Sequence, residues 1–289
     1  MSNYWNYTVE LDENLIGLQM RHLLVIKLDK KPDVEKIRML FRNDSHVVHA
    51  FLCEGDFDII IHALAPNPMD YVMWESLLPG KLSDYGVDLF PSNLMLTNFG
   101  YMPIDGASVL HMARGMDNLD RGILALLIDD SRLGLRAMAS KLGINATTLK
   151  YRMDSLLQRG IIKRFTVSFN RPPKNYLLAY VTNYHFNKTS HLRSMKMMDY
   201  YKRYDNGLPL LNTFQLLAPM SGSFRFLGIA LFDDKKSADK SLHAHCEIFN
   251  QENVNMKRAR IADVIKGTFP FRNLDMDRNY TKFRWQGEL

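Results

Sequence analysis

The chain has 289 residues, of which 46% are hydrophobic and 24% are charged, as in a globular protein with room for two or three domains. No apolar run reaches the ~20 residues of a membrane helix, and the opening residues lack the features of a signal peptide. We therefore expect a cytoplasmic protein, with Cys53 and Cys246 as reduced, buried thiols.

Charge is distributed unevenly along the chain. Residues 1–115 carry 9 Lys and Arg against 15 Asp and Glu, a net of −6. Residues 116–171 carry 10 against 5, a net of +5, and residues 172–289 carry 18 against 11, a net of +7. An acidic N-terminal part and a basic remainder favour a protein in which only part of the surface binds a polyanion. A mildly basic protein without a nucleic-acid partner has the same charge, so this pattern alone leaves both interpretations open.

The first hundred residues predict an αβ unit. Strands are expected at 22–28, 47–52, 57–64 and 87–97, helices at 33–42 and 68–78, and a turn at 53–56. The order strand, helix, strand, strand, helix, strand is that of a ferredoxin-like fold, in which two helices cover one face of an antiparallel sheet. We assign residues 1–100 to this domain and residues 101–115 to a linker.

The turn of this unit reads Gly55-Asp56-Phe57-Asp58. Glycine allows a ligand or a second backbone to come close. The carboxylate of Asp58 is suited to an ammonium group. A plain hairpin turn, in which Asp58 bonds backbone amides, explains the same residues, and the sequence leaves both interpretations open.

The middle of the chain predicts a helix-turn-helix. Residues 135–142 and 146–159 have the apolar spacing of two short helices, joined by Gly143-Ile144-Asn145. Glycine tolerates the left-handed backbone that ends a helix, and Asn145 is a good cap for the next one. Ala139 provides a small residue where the helices touch, and Leu149 an apolar residue beneath the second helix.

The exposed side of the second helix carries residue types that contact DNA. A turn and a strand follow at 160–167, as in a wing with two cations. A helical hairpin with a merely solvated polar face is the alternative. The predicted DNA-contacting residues are Asn145, Thr147, Thr148, Lys150, Tyr151, Arg152, Lys163 and Arg164.

Residues 119–170, from LDRGILALLIDD to KRFTVSFN, resemble the winged helix-turn-helix of the Lrp/AsnC family of transcription regulators. The resemblance implies that residues 116–171 form the DNA-binding domain and that Asn145 begins the recognition helix. The Ser-Pro usual at the start of that helix is Asn145-Ala146 here, and a usually basic position is Tyr151. The target DNA sequence is therefore not predicted.

The final third repeats the first unit. Strands are expected at 176–184, 212–217, 224–231 and 254–265, helices at 189–201 and 238–249, and a turn at 220–223. Residues 172–289 thus form a diverged second ferredoxin-like domain. Its turn has Arg225 where the first has Asp58, and arginine favours an acidic ligand group or a salt bridge.

The predicted fold class is therefore α+β, with a central winged helix-turn-helix flanked by two ferredoxin-like βαββαβ domains. The resemblance implies that the αβ domains bind a small-molecule effector, such as an amino acid, and form a homo-oligomer. The residues expected at such effector sites are Gly55, Asp56, Asp58, Gly222 and Arg225. The two αβ domains could pair within one chain or between chains.

An enzyme is the less favoured interpretation. The chain lacks a nucleotide-binding glycine loop and a zinc-type cysteine spacing. His243 and His245 are two apart on a predicted helix, and His46 and His49 lie on opposite faces of a predicted strand. We therefore expect no catalytic residue, metal or cofactor, and predict a regulator whose partner is double-stranded DNA. The domain pair also resembles sirohaem decarboxylases, which use histidines and arginines of the αβ domain for chemistry, and this is the alternative.

Overall fold

A computed structural model describes residues 5–94, 104, 107–169, 176–184, 214–240 and 254–268. The predicted helix at 189–201, most of that at 238–249, and His243, His245 and Cys246 lie outside these residues. The strands are β1 (Trp5–Leu11), β2 (Met20–Leu28), β3 (Val47–Gly55), β4 (Ile59–Ala65), β5 (Val87–Leu94), β6 (Ile162–Phe169), β7 (Tyr176–Tyr184), β8 (Phe214–Gly222), β9 (Phe226–Phe232) and β10 (Val254–Lys266). The helices are α1 (Val34–Arg42), α2 (Pro68–Lys81), α3 (Asn118–Asp129), α4 (Leu135–Leu142) and α5 (Ala146–Gln158), with a 3-10 helix at Ala107–Met112.

The first αβ unit has the predicted order of elements, and local chemistry sets its helix starts. The carboxylate of Asp33 accepts the N–H groups of Glu35 and Lys36 before α1. Before α2, the Asn67 side chain accepts the N–H of Asp70, and proline occupies the first turn. The predicted mixed α+β class is confirmed.

Eight strands close into one barrel in the order β10-β3-β4-β2-β5-β8-β9-β7. All neighbouring pairs are antiparallel, and each αβ unit contributes four strands. The units meet along two seams, β3 against β10 and β5 against β8. The two αβ units therefore pair within one chain, which was one of the two arrangements that the sequence allowed.

The seams also correct two predicted turns. Residues 53–55 continue strand β3, because Cys53, Glu54 and Gly55 pair with β10. Residues 220–222 continue strand β8, because they pair with residues 92–94 of β5. Both predictions were wrong for the same reason: a turn-like composition was overridden by pairing with a strand far away in sequence.

The barrel encloses one apolar core built from both units, and a second core lies beneath α1 and α2. Strands alternate their side chains between the two, as the period of two requires. The first unit gives the interior Leu23, Val25, Phe51, Cys53, Phe57 and Ile60, and the second gives it Leu177, Ala179, Val181, Leu216, Leu227 and Ile229. The free thiol of Cys53 is buried there, and burial raises its pKa.

A third core is built mainly by the winged domain, and Val48 and Leu64 of the first αβ unit also belong to it. Strand β1 pairs with β6, from Trp5 opposite Phe169 to Leu11 opposite Ile162. Val9 and Leu11 are fully buried in the same core as α3, so strand β1 packs with the winged domain. Residues 107–113, expected in a linker, also pack there through Leu110 and Ala113. In the part of the chain described, no helix has the length and hydropathy of a membrane span.

Candidate nucleic-acid interface

The turn between α4 and α5 has the predicted geometry. Gly143 adopts a left-handed conformation with φ of 66°, and its N–H meets the carbonyls of Ala139 and Ser140. Asn145 is extended, with φ of −81° and ψ of 156°. Its side-chain oxygen accepts the N–H of Thr148 at 2.7 Å. That oxygen caps the helix, so the residue fixes where α5 begins.

Helix α5 buries one face and leaves the other open to solvent. Leu149 and Leu156 are fully buried in the winged core. Thr147, Lys150 and Tyr151 are exposed, and Tyr151 keeps 74% of its surface. The exposed residues lie in the first half of the helix, which is the part of a recognition helix that reaches base edges.

Arg152 turns back onto its own domain. Its Nη1 lies 2.8 Å from Oδ2 of Asp117 and 3.3 Å from Oδ1 of Asp120. Asp120 is buried and also lies 3.8 Å from Nη1 of Arg159. The two aspartates raise the pKa of Arg152. Arg152 therefore links α5 to the start of α3, and its contact with DNA stays a prediction.

The two wing cations are paired with acids of β1 and of the turn after it. Nζ of Lys163 lies 3.4 Å from Oδ2 of Asp12 and 4.0 Å from Oε1 of Glu10. Arg164 bonds Glu10. Burial raises the pKa of Glu10, against a lowering by Arg164. Part of the wing charge is thus neutralised inside the chain.

The first αβ turn lies on the β3–β10 seam. A side chain at Gly55, whose φ is +153°, would place Cβ 2.5 Å from the Arg258 carbonyl oxygen. The Asp56 N–H donates to that oxygen at 2.8 Å, and the Arg258 N–H donates to Oδ2 of Asp56 at 2.8 Å. Asp58 accepts the N–H of Leu28 at 2.8 Å and pairs with Lys27 at 3.1 Å. Asp58 therefore accepts a hydrogen bond from a backbone amide, as the hairpin-turn interpretation expects.

The second turn lies on the β5–β8 seam and repeats this arrangement. A Cβ at Gly222, whose φ is +134°, would meet the Pro91 carbonyl oxygen at 2.8 Å. The Arg225 N–H donates to the Thr182 carbonyl at 2.8 Å, and its side chain is exposed. The two seams are four strands apart around the barrel, so the five predicted effector residues form two separate groups.

Sequence reasoning missed a buried histidine pair in the first αβ unit. Nδ1 of His49 lies 3.1 Å from Nδ1 of His62. His22, nearby in the same sheet, stacks on Tyr71 with ring centroids 3.2 Å apart. Burial lowers the pKa of His22 to about 4 and that of His62 well below its ordinary value. These residues are distant in sequence, so only the strand register could have revealed the cluster.

Several polar atoms of this cluster are buried without a hydrogen bond. They are Nε2 of His22, Nε2 of His62 and Nε of Arg21, counting partners among the described residues. Arg21 also makes a buried ion pair with Glu13 at 2.7 Å. Within the described ranges, no group of three or more acidic, histidine or cysteine side chains is arranged to hold a metal.

Comparisons with known proteins bear most directly on the winged domain. Residues 116–163 match a family model described as winged helix-turn-helix DNA-binding. An uncharacterised HTH-type transcriptional regulator of Pyrococcus furiosus is 44% identical over 64 residues, 22% of this chain and 43% of that protein. The HTH-type transcriptional regulator LrpA of Pyrococcus horikoshii is 34% identical over 67 residues, 23% of this chain and 48% of LrpA.

The winged domain is similar to those of HTH-type transcriptional regulators such as LrpA. Outside that domain the likeness is one of fold. The crystal structure of the sirohaem decarboxylase NirDL superposes with a TM-score of 0.56 at 11% identity, over 96% of this chain and 82% of that one. Each curated relative is matched over less than half of its own length. This chain thus combines a winged helix-turn-helix domain with two αβ units that close a single barrel.

Proposed function

We propose that this protein is a sequence-specific DNA-binding transcription regulator that inserts α5 into the major groove. One observation supports the proposal above all others. The N-terminal half of α5 is uncovered, with Thr147, Lys150 and Tyr151 exposed, while Leu149 and Leu156 hold the helix on its domain. The described parts of the αβ units leave this face of α5 exposed, so a duplex can approach it.

Each exposed group has a role in this proposal. Lys150 neutralises a phosphate, and the free N–H groups of the first helical turn favour a second one. Thr147 and Tyr151 touch base edges or the thymine methyl group. Arg152 acts as a positioning residue that fixes α5 through Asp117 and Asp120.

A salt-titrated binding assay with genomic fragments tests the proposal. Lys150→Ala should weaken binding similarly on every fragment and reduce the slope of log affinity against log salt by about one unit. Lys240→Ala, at an exposed lysine of the second αβ unit, is the matched control and should change neither quantity. Wild-type protein without duplex affinity at low salt would refute the proposal.

We further propose that a small effector with a carboxylate, such as an amino acid, binds at the β5–β8 seam. The exposed guanidinium of Arg225 supports this seam over the other, because Asp58 is already engaged by Leu28 and Lys27. Calorimetric titration with amino acids should give binding that Arg225→Ala weakens about tenfold or more. Binding unchanged in that variant would exclude the seam as the site.

A second candidate function is the binding of an acidic tetrapyrrole. Nε2 of His62 and Nε of Arg21, which are buried without a partner among the described residues, support it, because buried polar atoms are ordinarily satisfied. The fold neighbour has also been solved with an iron-uroporphyrin III analogue. Titration with iron-uroporphyrin should then produce a shifted absorbance band that His62→Gln weakens. An unshifted band would remove this candidate and leave the regulator proposal untouched.

A further inference from the structure

Helix α2 carries an uncovered apolar surface. Met69 (68% exposed), Met73 (63%) and Leu77 (59%) are four residues apart, and Val72 (55%) is three residues after Met69, so all four lie on one side of the helix. We call these four residues the α2 stripe. Tyr71, Trp74 and Leu78 occupy the opposite side and pack on the sheet. Burial in the fold therefore does not account for the stripe.

The exposed side of α2 is also free of charge up to Gly80, and the exposed Lys81 at the end of the helix pairs with Asp44. From Pro68 to Gly80, the exposed positions are proline, methionine, valine, serine, leucine and glycine. The two acids in this range turn away from it: Asp70 bonds His46 at 2.8 Å, and Glu75 is half-buried beside Tyr71. Contiguous exposed apolar surface without charges is typical of a contact site rather than of solvated helix.

The second αβ unit provides an internal comparison. Its counterpart of α2 begins at residues 235–240, directly after β9, as α2 follows β4. The exposed residues there are Lys235, Lys236, Ser237, Asp239 and Lys240. The ferredoxin-like fold therefore does not require an apolar outer face on this helix. Of the two stretches compared, only that of the first unit carries exposed apolar residues.

We propose that the α2 stripe is where a second copy of this chain docks, with two α2 helices packed antiparallel about a two-fold axis. An uncharged apolar face is best covered by another uncharged face, and the other large exposed apolar residues described come from several different elements and loops: Leu15, Met39, Leu135, Tyr151, Leu157 and Phe165. The stripe thus matches itself best. The antiparallel arrangement also sets the helix dipoles in opposite directions.

The closed barrel strengthens the case for this mode of assembly. Every barrel strand already has neighbours on both sides, so copies of the barrel cannot join by strand addition. A chain with one winged domain also needs a second copy to read two half-sites one helical turn apart. This last step rests on the proposed function, whereas the stripe itself does not.

Mass measurement in solution tests the proposal without DNA. Met73 lies at the middle of the stripe, so the two-fold axis brings Met73 of each copy together. Wild-type protein should be dimeric, and Met73→Glu and Met73→Lys should each raise the dimer Kd about 100-fold or more because like charges then meet. An equimolar mixture of the two variants should be dimeric again, which also shows that both are folded.

Leu15→Glu is the control, because Leu15 is 52% exposed but lies beside Gly160 of the winged domain. It should keep the wild-type mass. A monomeric wild type, which would leave the stripe to another partner or to residues 269–289, overturns the proposal. Dimers unaffected by Met73→Glu overturn it equally. A dimer that fails to bind DNA would contradict the proposed function and leave this proposal standing.

Discussion

At the scale of single residues, Arg152 has a structural role that its sequence position did not reveal. Its guanidinium meets Asp117 at 2.8 Å and the buried Asp120 at 3.3 Å. Arg152→Ala should therefore lower the midpoint of thermal unfolding as well as duplex affinity, because Asp120 loses its nearest cation inside the domain. Thermal melts beside binding curves separate the effects. A variant that binds DNA poorly with an unchanged melt would make Arg152 a direct DNA contact.

The buried histidines predict a loss of stability in acid. The pKa of His22 is about 4 in the folded protein and about 6.5 when unfolded, so the unfolded state binds more protons between these values. Its contribution is complete above pH 6.5 and is lost as the pH falls towards 4, by at most ~3 kcal/mol. His22→Phe keeps an aromatic ring on Tyr71 and should flatten the pH dependence measured by urea unfolding. An equally steep profile would place the acid sensitivity elsewhere.

The residues that sequence reasoning identified are those whose partners lie close in the chain. Gly143 and Asn145 were predicted as the end of one helix and the cap of the next, and both roles depend on backbone groups within four residues. The sequence did not decide whether Asp58 binds a ligand or a backbone amide, because its hydrogen-bond donor, the N–H of Leu28, lies on another strand. The pairing of His49 with His62 requires the strand register, which no local pattern contains.

At the scale of elements, two glycines with positive φ should differ in the unfolding free energy that is lost when each is replaced by alanine. Gly143 has a positive φ but open space around its Cβ position, whereas Gly55 lies against the backbone of β10. Gly143→Ala should cost about 1 kcal/mol of unfolding free energy through backbone strain alone. Gly55→Ala should cost a further ~1–3 kcal/mol, because the new Cβ overlaps the Arg258 carbonyl. Denaturant unfolding of both variants measures the difference, and equal costs would mean that the seam yields easily.

Strand β1 was an element that the sequence did not predict. Thr8, Val9, Glu10 and Leu11 alternate polar and apolar residues, but the run is short and precedes a domain to which it does not belong. Its partner, β6, is more than 150 residues away. The helices and strands of the αβ units were easier to predict, because each contains its own periodicity and caps.

At the scale of the whole molecule, the fold joins two αβ units so that the chain supplies its own partner. Each ferredoxin-like sheet has two edge strands, and each edge strand pairs with an edge strand of the other unit. Gly55 and Gly222 occupy equivalent places on the two seams, each against the backbone of the other unit. The sequence showed the duplication of the αβ unit, but it did not show that the strands close into one barrel. The edge strands of one unit can pair with the other unit of the same chain or with a second chain, and the sequence does not distinguish these arrangements.

The union of β1 with the wing has a consequence for how strongly the molecule binds DNA. Glu10 and Asp12 hold Lys163 and Arg164, so these cations must leave their acids before they meet phosphates. The double variant Glu10→Gln with Asp12→Asn frees them and keeps oxygens that accept hydrogen bonds. Its duplex affinity should rise, and the slope of log affinity against log salt should steepen by about one to two units. Glu54→Gln removes an acid that pairs with Arg260 on the barrel seam and should leave the slope unchanged. A slope equal to that of the wild type in the double variant would show that the wing stays clear of the phosphates, and that α5 alone carries the contact.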